Sequence, residues 1–407
     1  MLPLEGVRVL DLSNVLSGPF CGYQLARMGA EVVKVENPRG GDLGRGVGAD
    51  PEKVKRLMGG AFVAINAGKQ SIALDLKDKR GKEVFLRLVE KADVVLENFR
   101  PGVMDRLGVG YEVMKARNPR LVYCAISGFG ATGPWAGRAA YDQIVQGLSG
   151  VMSVTGDSGS APLRAGFPVT DMIGGLTGAF AIAAALVEQR ATGKGRAIDV
   201  SMLEATIAAM GWAVSYWLCD GVAPEPMGNE NVTAAPSGTF RTKDGAINIA
   251  ANDQKQFAAL CALIGRQELV GDARFVDRGT RARNREALRR EIEPALASRS
   301  AAEWETLLNG EGVPSGRILS VPEILETEQV RIRGLVETLP MTDGRGAPLR
   351  TTRPGFLLEE GFPPPGAAPG LGADTRPWLE HLGYDKDAIA ALARDGVIGL
   401  GEEESAR

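Results

Sequence analysis

The sequence predicts an α/β protein: a Rossmann-like large domain built on a doubly wound parallel sheet, with a smaller α+β domain. Two observations carry this. The first 130 residues alternate strand-like apolar runs with amphipathic segments, the pattern of a parallel sheet covered by helices. At 407 residues the chain also exceeds the size at which one hydrophobic core keeps growing, so two structural units are expected.

Residues 7–12 read as the first strand, 13–19 as a loop, 20–28 as a helix stopped by Gly29, and 31–35 as the second strand of a βαβ unit. Residues 71–76 supply another strand. The following helix sets Val84, Phe85, Leu88, Val89 and Ala92 on one face, and 94–97 and 121–127 read as further strands. A helical pattern runs from Asp171 to Arg190 and stops at Gly193, where a left-handed glycine cap is expected; 197–200 is a short strand and 202–219 a second helix. Beyond Asp220 the texture changes. Residues 221–238 are rich in Gly, Pro and Asn, then a strand at 246–250 and helices at 254–264 and 283–297 follow, read as a smaller domain reached by a linker. Residues 361–372 form a Pro/Gly loop, and 376–393 a closing helix.

Composition excludes several classes of function. Lys+Arg 47 against Asp+Glu 50, with no long basic run, argues against a nucleic-acid partner. Cys21, Cys124, Cys219 and Cys261 lie far apart and the chain has a single histidine, His381, so the usual residues supply no zinc ligand set and no metal is expected. The cysteines read as thiols in a reducing compartment. Residues 1–6 lack the basic flank and apolar run of a signal peptide, and the apolar run 179–187 is too short to span a bilayer; a cytoplasmic protein without membrane attachment is expected.

Histidine does most acid–base work near neutral pH, so a chain with one histidine near its end must turn to a carboxylate. Asp171 is the candidate, in Arg164-Ala165-Gly166-Phe167-Pro168-Val169-Thr170-Asp171-Met172-Ile173-Gly174-Gly175. At a helix N-cap its carboxylate would be held ionised by unpaired N–H groups and the dipole, a nucleophile needing no base. The plain alternative is a cap and nothing more. Gly174 and Gly175 favour the first reading if their role is to clear the approach to Asp171, since each costs about 1 kcal/mol against alanine in a helix.

Gly128-Phe129-Gly130-Ala131-Thr132-Gly133 fits a dinucleotide fingerprint and follows a strand, but that motif must open a helix. Here Pro134, Trp135, Ala136 and Gly137 continue the loop, so no dinucleotide site is expected.

Several segments converge on one family: Leu4-Glu5-Gly6-Val7-Arg8-Val9-Leu10-Asp11, Gly29-Ala30-Glu31-Val32-Val33-Lys34-Val35-Glu36, Lys69-Gln70-Ser71-Ile72-Ala73-Leu74-Asp75-Leu76-Lys77, Glu97-Asn98-Phe99-Arg100-Pro101-Gly102, Ser127-Gly128-Phe129-Gly130 and Thr192-Gly193-Lys194-Gly195. In these the chain resembles the class III CoA transferases, which include formyl-CoA transferase, carnitine CoA-transferase and α-methylacyl-CoA racemase. The resemblance implies that Asp171 is the nucleophile and that coenzyme A, as a substrate and not a tightly bound cofactor, is moved from an acyl-CoA to a free carboxylic acid. It implies a CoA site from Leu16, Ser17, Leu74, Asp75, Lys77, Asn98, Phe99, Arg100 and Arg106, with Tyr141 and Asp142 beside it. Lys77, Arg100 and Arg106 carry the charge that phosphates require, though each reads equally as a solvated surface residue. Where formyl-CoA transferase has an arginine after the acid matching Glu36, this chain has Asn37, with Arg39 two residues on.

The racemase branch carries a histidine at the place of Tyr141, and a tyrosine with pKa near 10 cannot replace it at neutral pH. The transferase branch is therefore expected; a racemase or isomerase on the same fold, and a non-catalytic acyl-CoA-binding protein, are the alternatives. Backbone N–H groups near Gly228 or Gly238 are candidates to stabilise an oxyanion. The resemblance also implies an interlocked homodimer and a domain arrangement of 1–220 (large), 221–330 (small) and 331–407 returning to the large domain.

Overall fold

The computed structural model describes residues 1–340 and 349–401; the parts of the expected return segment at 341–348 and 402–407 lie outside the described residues. The chain divides into two compact units, one of residues 1–151, 165–215 and 331–407, the other of 152–164 and 216–330.

In chain order the strands are β1 (Arg8–Asp11), β2 (Glu31–Glu36), β3 (Gln70–Leu74), β4 (Val94–Glu97), β5 (Val122–Ser127), β6 (Ala197–Ser201), β7 (Ser237–Arg241), β8 (Ala246–Ala250), β9 (Ser315–Arg317), β10 (Val336–Leu339), β11 (Leu349–Thr352) and β12 (Ile398–Gly399). The first unit is built on a seven-stranded sheet ordered β12-β3-β2-β1-β4-β5-β6. Its first six strands pair in parallel; β12 pairs antiparallel to β3, Ile398 opposite Leu74. The all-parallel expectation is thereby corrected to a mixed sheet. A two-residue strand has too little alternation to register in the sequence.

Both faces of the sheet are covered. Leu10, Val33, Ile72 and Val95 face one core with Val84, Phe85, Leu88 and Val89 of helix α2 (Lys79–Val89) and with the C-terminal helices. Val9, Val32, Val94 and Leu96 face the other, packed against α1 (Ser17–Arg27) and the long helix α4 (Val169–Thr192), which follows α3 (Asp142–Leu148). Strands buried on both sides must be apolar at nearly every position, which is what made them readable in the sequence.

The helix expected at 202–219 is two, α5 (Met202–Ala209) and α6 (Trp212–Asp220), because Gly211 between them is left-handed at φ +51°. The expected closing helix is likewise two, Thr375–His381 and Lys386–Arg394, separated at Gly383 with φ +87°. Helix α4 runs to Gly193 as expected, but with 24 residues and an 18-residue stretch of mean hydropathy 1.6 it is long and apolar enough to cross a membrane, which the narrower run 179–187 concealed. One side of it is committed to the core through Ile182, Ala185 and Leu186.

The second unit folds around Phe240, Ile247, Ile249, Phe257, Leu260 and Trp304, beneath the antiparallel sheet β7-β8-β9. It carries a cleft of about 610 Å³ lined by residues that include Gly228, Asn231, Gly238, Asn248 and Ser315.

Candidate active site

In the first unit the strand order reverses between β1 and β4, and loops at the carboxyl ends of strands around such a switch point form the usual ligand crevice of open α/β sheets. Most of the predicted CoA residues lie here. Leu16 and Ser17 follow β1, Leu74, Asp75 and Lys77 end or follow β3, and Asn98, Phe99, Arg100 and Arg106 follow β4. Lys77, Arg100 and Arg106 are exposed, while Leu16 and Phe99 are half-buried against apolar clusters. Arg39 bonds Asp75 at 2.7 Å, and Asp75 also accepts the Lys77 N–H, so Asp75 is an anchor for both basic residues.

The loop after β1 is held residue by residue. Ser13 donates its N–H (2.9 Å) and its hydroxyl to Asp11, and its carbonyl accepts from Lys34 Nζ at 2.6 Å. Asn14 exchanges N–H and C=O bonds of 2.8 Å with the Asn98 side-chain amide. Val15, a β-branched residue in the left-handed region at φ +67°, donates its N–H to Asp42 Oδ1 (2.8 Å), and Asp42 is paired with Lys34 at 2.9 Å. Such a backbone conformation costs about 1–3 kcal/mol and persists only where the surroundings over-determine it. Beneath the loop, Lys69 Nζ donates to Asp11 Oδ2, Pro19 O and Asn66 Oδ1 at 2.8–2.9 Å, and Arg45 and Ser71 both bond Glu36. Burial works to raise Asp11, but Lys34 and Lys69 outweigh it and hold the carboxyl below its ordinary value. Sequence reading passed over this network, although Lys34 is a charge in the middle of the apolar run Val32-Val33-Lys34-Val35 of a buried strand, the signal that would have found it.

Asp171 departs from expectation in two ways. The N-cap of α4 is Pro168, so Asp171 is the third residue of the helix. Nor do the free N–H groups of that end hold it ionised. Burial pushes Asp171 up to about 7, the nearby Asp142 carboxylate adds to the rise, and a hydrogen bond from Ser17 opposes it. Asp142 is buried, its Oδ1 accepting the Thr170 N–H (2.9 Å) and hydroxyl (2.8 Å). Tyr141, at the N-cap of α3, is 72% exposed. Glu97 is also raised to about 7, chiefly by burial, while bonds from Tyr123 Oη and the Phe99 N–H hold it down.

The glycines after Asp171 do something other than clear its approach. A Cβ on Gly175 would lie 2.6 Å from Ser17 O and 3.0 Å from Phe20, and one on Gly174 would lie 2.9 Å from Met202. They let α4 approach α1 and α5 closely, and the α1 contact is what brings Ser17 to Asp171. Gly175→Ala is accordingly expected to cost about 1–3 kcal/mol from overpacking against backbone that cannot turn aside. It should also lower turnover, both measurable by urea unfolding and steady-state kinetics.

Residues 131–141 remain loop, with Ala131 N–H donating to Asp199, so the GxGxxG segment opens no helix. In the second unit the Gly228 N–H is engaged by Gly156 O at 2.6 Å, which leaves it unsuited to an oxyanion; Gly238 lies within β7.

Comparison with known proteins places the chain in a family. The signature described as CoA-transferase family III matches residues 4–375. The succinyl-CoA:glutarate CoA-transferase of Mus musculus is 37% identical over 404 residues, 98% of this chain and 91% of that one. The acetyl-CoA:oxalate CoA-transferase of Acetobacter aceti is 42% identical over 335 residues, 82% and 85% of the two chains. A crystal structure of a CAIB/BAIF family protein from Brucella suis superposes with a TM-score of 0.82 at 34% identity, covering 94% of this chain and 99% of that one.

Proposed function

The chain belongs to CoA-transferase family III, whose members move coenzyme A between acyl-CoA thioesters and carboxylic acids, and from that premise we propose that Asp171 carries the transfer covalently. The observation behind this is a half-buried carboxyl, raised to about 7, that faces Ser17 on the loop end of α1. Ionised Asp171 attacks the thioester carbonyl; the C–S bond breaks, leaving a mixed anhydride and CoA thiolate. The thiolate attacks the Asp171 carbonyl, releasing the first acid and forming an aspartyl-CoA thioester. An incoming carboxylate reverses the sequence, and Asp171 leaves as it began. The cycle needs no net proton and no histidine. Enclosure of the carboxyl keeps water from the two activated intermediates.

Leu16, Ser17, Leu74, Asp75, Lys77, Asn98, Phe99, Arg100 and Arg106 form the CoA-binding edge in this reading, with the exposed lysine and arginines toward the phosphates. The relatives are named for succinate, glutarate and oxalate, and the acceptor here is a short dicarboxylic acid. The test is a matrix of acyl-CoA donors against mono- and dicarboxylic acids read by mass spectrometry. Exchange with dicarboxylates supports the reading, exchange confined to monocarboxylates overturns the acceptor class, and α-deuterium uptake without exchange would indicate a racemase. The four free cysteines suit the reducing cytoplasm, the compartment proposed.

The assembly proposed is an interlocked homodimer. Leu176, Phe180 and Val187 on α4, with Ile144 and Leu148 on α3, leave large apolar side chains 43–77% exposed, a surface suited to burial against a second copy. Sedimentation should give a dimer at every concentration that can be measured, and a folded monomer at micromolar protein overturns it.

A further inference from the structure

We propose that Asp142 and Gln146 are positioning residues for the nucleophile: one turn apart on α3, they hold the segment 165–171 by four of its residues. The proposal rests on Asp171 being the nucleophile.

Helix α4 lacks a side-chain cap of its own, since Pro168 occupies the N-cap. Asp142 supplies one from another helix. Its Oδ1 accepts the Thr170 N–H at 2.9 Å and the Thr170 hydroxyl at 2.8 Å, and lies 3.5 Å from the Asp171 nitrogen. Its Oδ2 accepts from Gln146 Nε2 at 2.6 Å, and the same amide reaches Phe167 O at 3.3 Å while Gln146 Oε1 accepts the Ala165 N–H at 2.9 Å. Gln146 is fully buried and Asp142 7% exposed. Both ends of the amide and both oxygens of the carboxylate are thus engaged with protein, and the backbone approaching Asp171 is fixed from outside its own helix.

The arrangement has an electrostatic consequence. The N-terminal N–H groups of α4 that would have favoured an ionised Asp171 are turned to Asp142, whose own negative charge then faces the nucleophile. Among the groups on elements packed against α4, Asp142 is the charge that acts on Asp171 and Ser17 of α1 the hydroxyl. The other titratable groups those elements bring are Cys21, Tyr23 and Arg27 of α1, Tyr123 and Cys124 of β5, Asp199 of β6 and Glu204 of α5. Asp142 therefore both aims Asp171 and keeps it a more basic, stronger nucleophile than a solvent-exposed carboxylate.

The experiment is the pH dependence of kcat/KM for the wild type, Asp142→Asn, Asp142→Ala and Gln146→Leu, with fold checked by circular dichroism and acyl-CoA binding by calorimetry. The wild type should show an acid limb near pH 7. Asp142→Asn keeps an acceptor for Thr170 but loses the charge and the acceptor for Gln146 Nε2, so its limb should move to lower pH by about one unit. Asp142→Ala should lose about 10²-fold in kcat on the plateau above the limb, and Asp142→Asn should restore part of it. Gln146→Leu should lower kcat about tenfold with the acyl-CoA KM and the limb unchanged. An unmoved limb in Asp142→Asn, or wild-type kcat in Gln146→Leu, overturns the proposal; if Asp142→Ala fails to fold, those two variants decide it. Failure of the underlying assignment looks different: hydroxylamine then traps no acyl group on Asp171 in the wild type.

Discussion

Asp171→Ala is expected to abolish transfer, by on the order of 10⁴-fold or more, while acyl-CoA still binds. The covalent route passes through that carboxylate and nothing in its immediate surroundings can substitute: Ser17 has no imidazole to activate it, and both oxygens of Asp142 are engaged by Thr170 and Gln146. Asp171→Asn is the finer test, because an amide fills the same space but is a far weaker nucleophile. It also makes a prediction in the opposite sense for stability. The native carboxyl at about 7 lies above its unfolded value near 3.9, so the native state binds its proton more tightly and the wild type loses stability as pH rises from about 4 to 7. Asp171→Asn should therefore be more stable than the wild type at pH 8, by a few kcal/mol, with the gain shrinking toward pH 5. Urea titrations at the two pH values measure it. An inactive enzyme that is more stable is the outcome expected of a residue kept for chemistry; near-wild-type turnover in the Asn variant refutes the nucleophile.

Lys69→Met should have the largest effect on stability, about 3–5 kcal/mol. Both Lys69 and Asp11 are fully buried, and the ammonium's three protons meet three acceptors, so removing it takes the direct ionic partner from a carboxylate with no access to water and leaves it only Ser13 and the charge of Lys34. Since partners hold Asp11 below its ordinary value, the stability it contributes is present above about pH 4 and is lost as pH falls through the lowered native pKa. The double replacement Asp11→Asn with Lys69→Met removes that buried charge yet keeps an acceptor for Ser13, and should recover much of the loss. Guanidinium unfolding of the single and double variants checks this; equal destabilisation in both would show that the pair contributes only packing. Kinetic damage should accompany the loss, because Asp11 and Lys69 hold Ser13 and Pro19 on either side of Ser17.

The parallel strands, their covering helices and the placing of Asp171 in the first turn of a helix, though not its N-cap, were legible because each rests on local pattern: apolar runs buried on both faces, a 3.6-residue period, an acid beside a Gly-rich helix start. What escaped was tertiary. Whether Gly175 faces a ligand or a neighbouring helix cannot be told from its neighbours in sequence; the answer lies in Ser17 O, 158 positions earlier. The protonation of Asp171 depends likewise on Asp142 in a different helix, which the resemblance had placed with the substrate. The split at Gly211 was visible as a glycine but not as a helix break, since isolated glycines within helices are tolerated and only the fold decides.

The antiparallel edge strand β12 ties Ile398 to Leu74, and it also sets a timetable. During synthesis β3 emerges early, but the strand that pairs with the Ala73–Leu74 end of its free edge follows only after the intervening chain, including all of the second unit, has been made. At 5–20 residues per second that interval is on the order of half a minute. For that time the nascent sheet presents an open, apolar-flanked edge, the surface on which a neighbouring chain on the same polysome would pair. Yield in the cell should consequently depend on what shields β3 while the ribosome finishes, and a circular permutant that places residues 386–401 ahead of residue 1 would close the edge first.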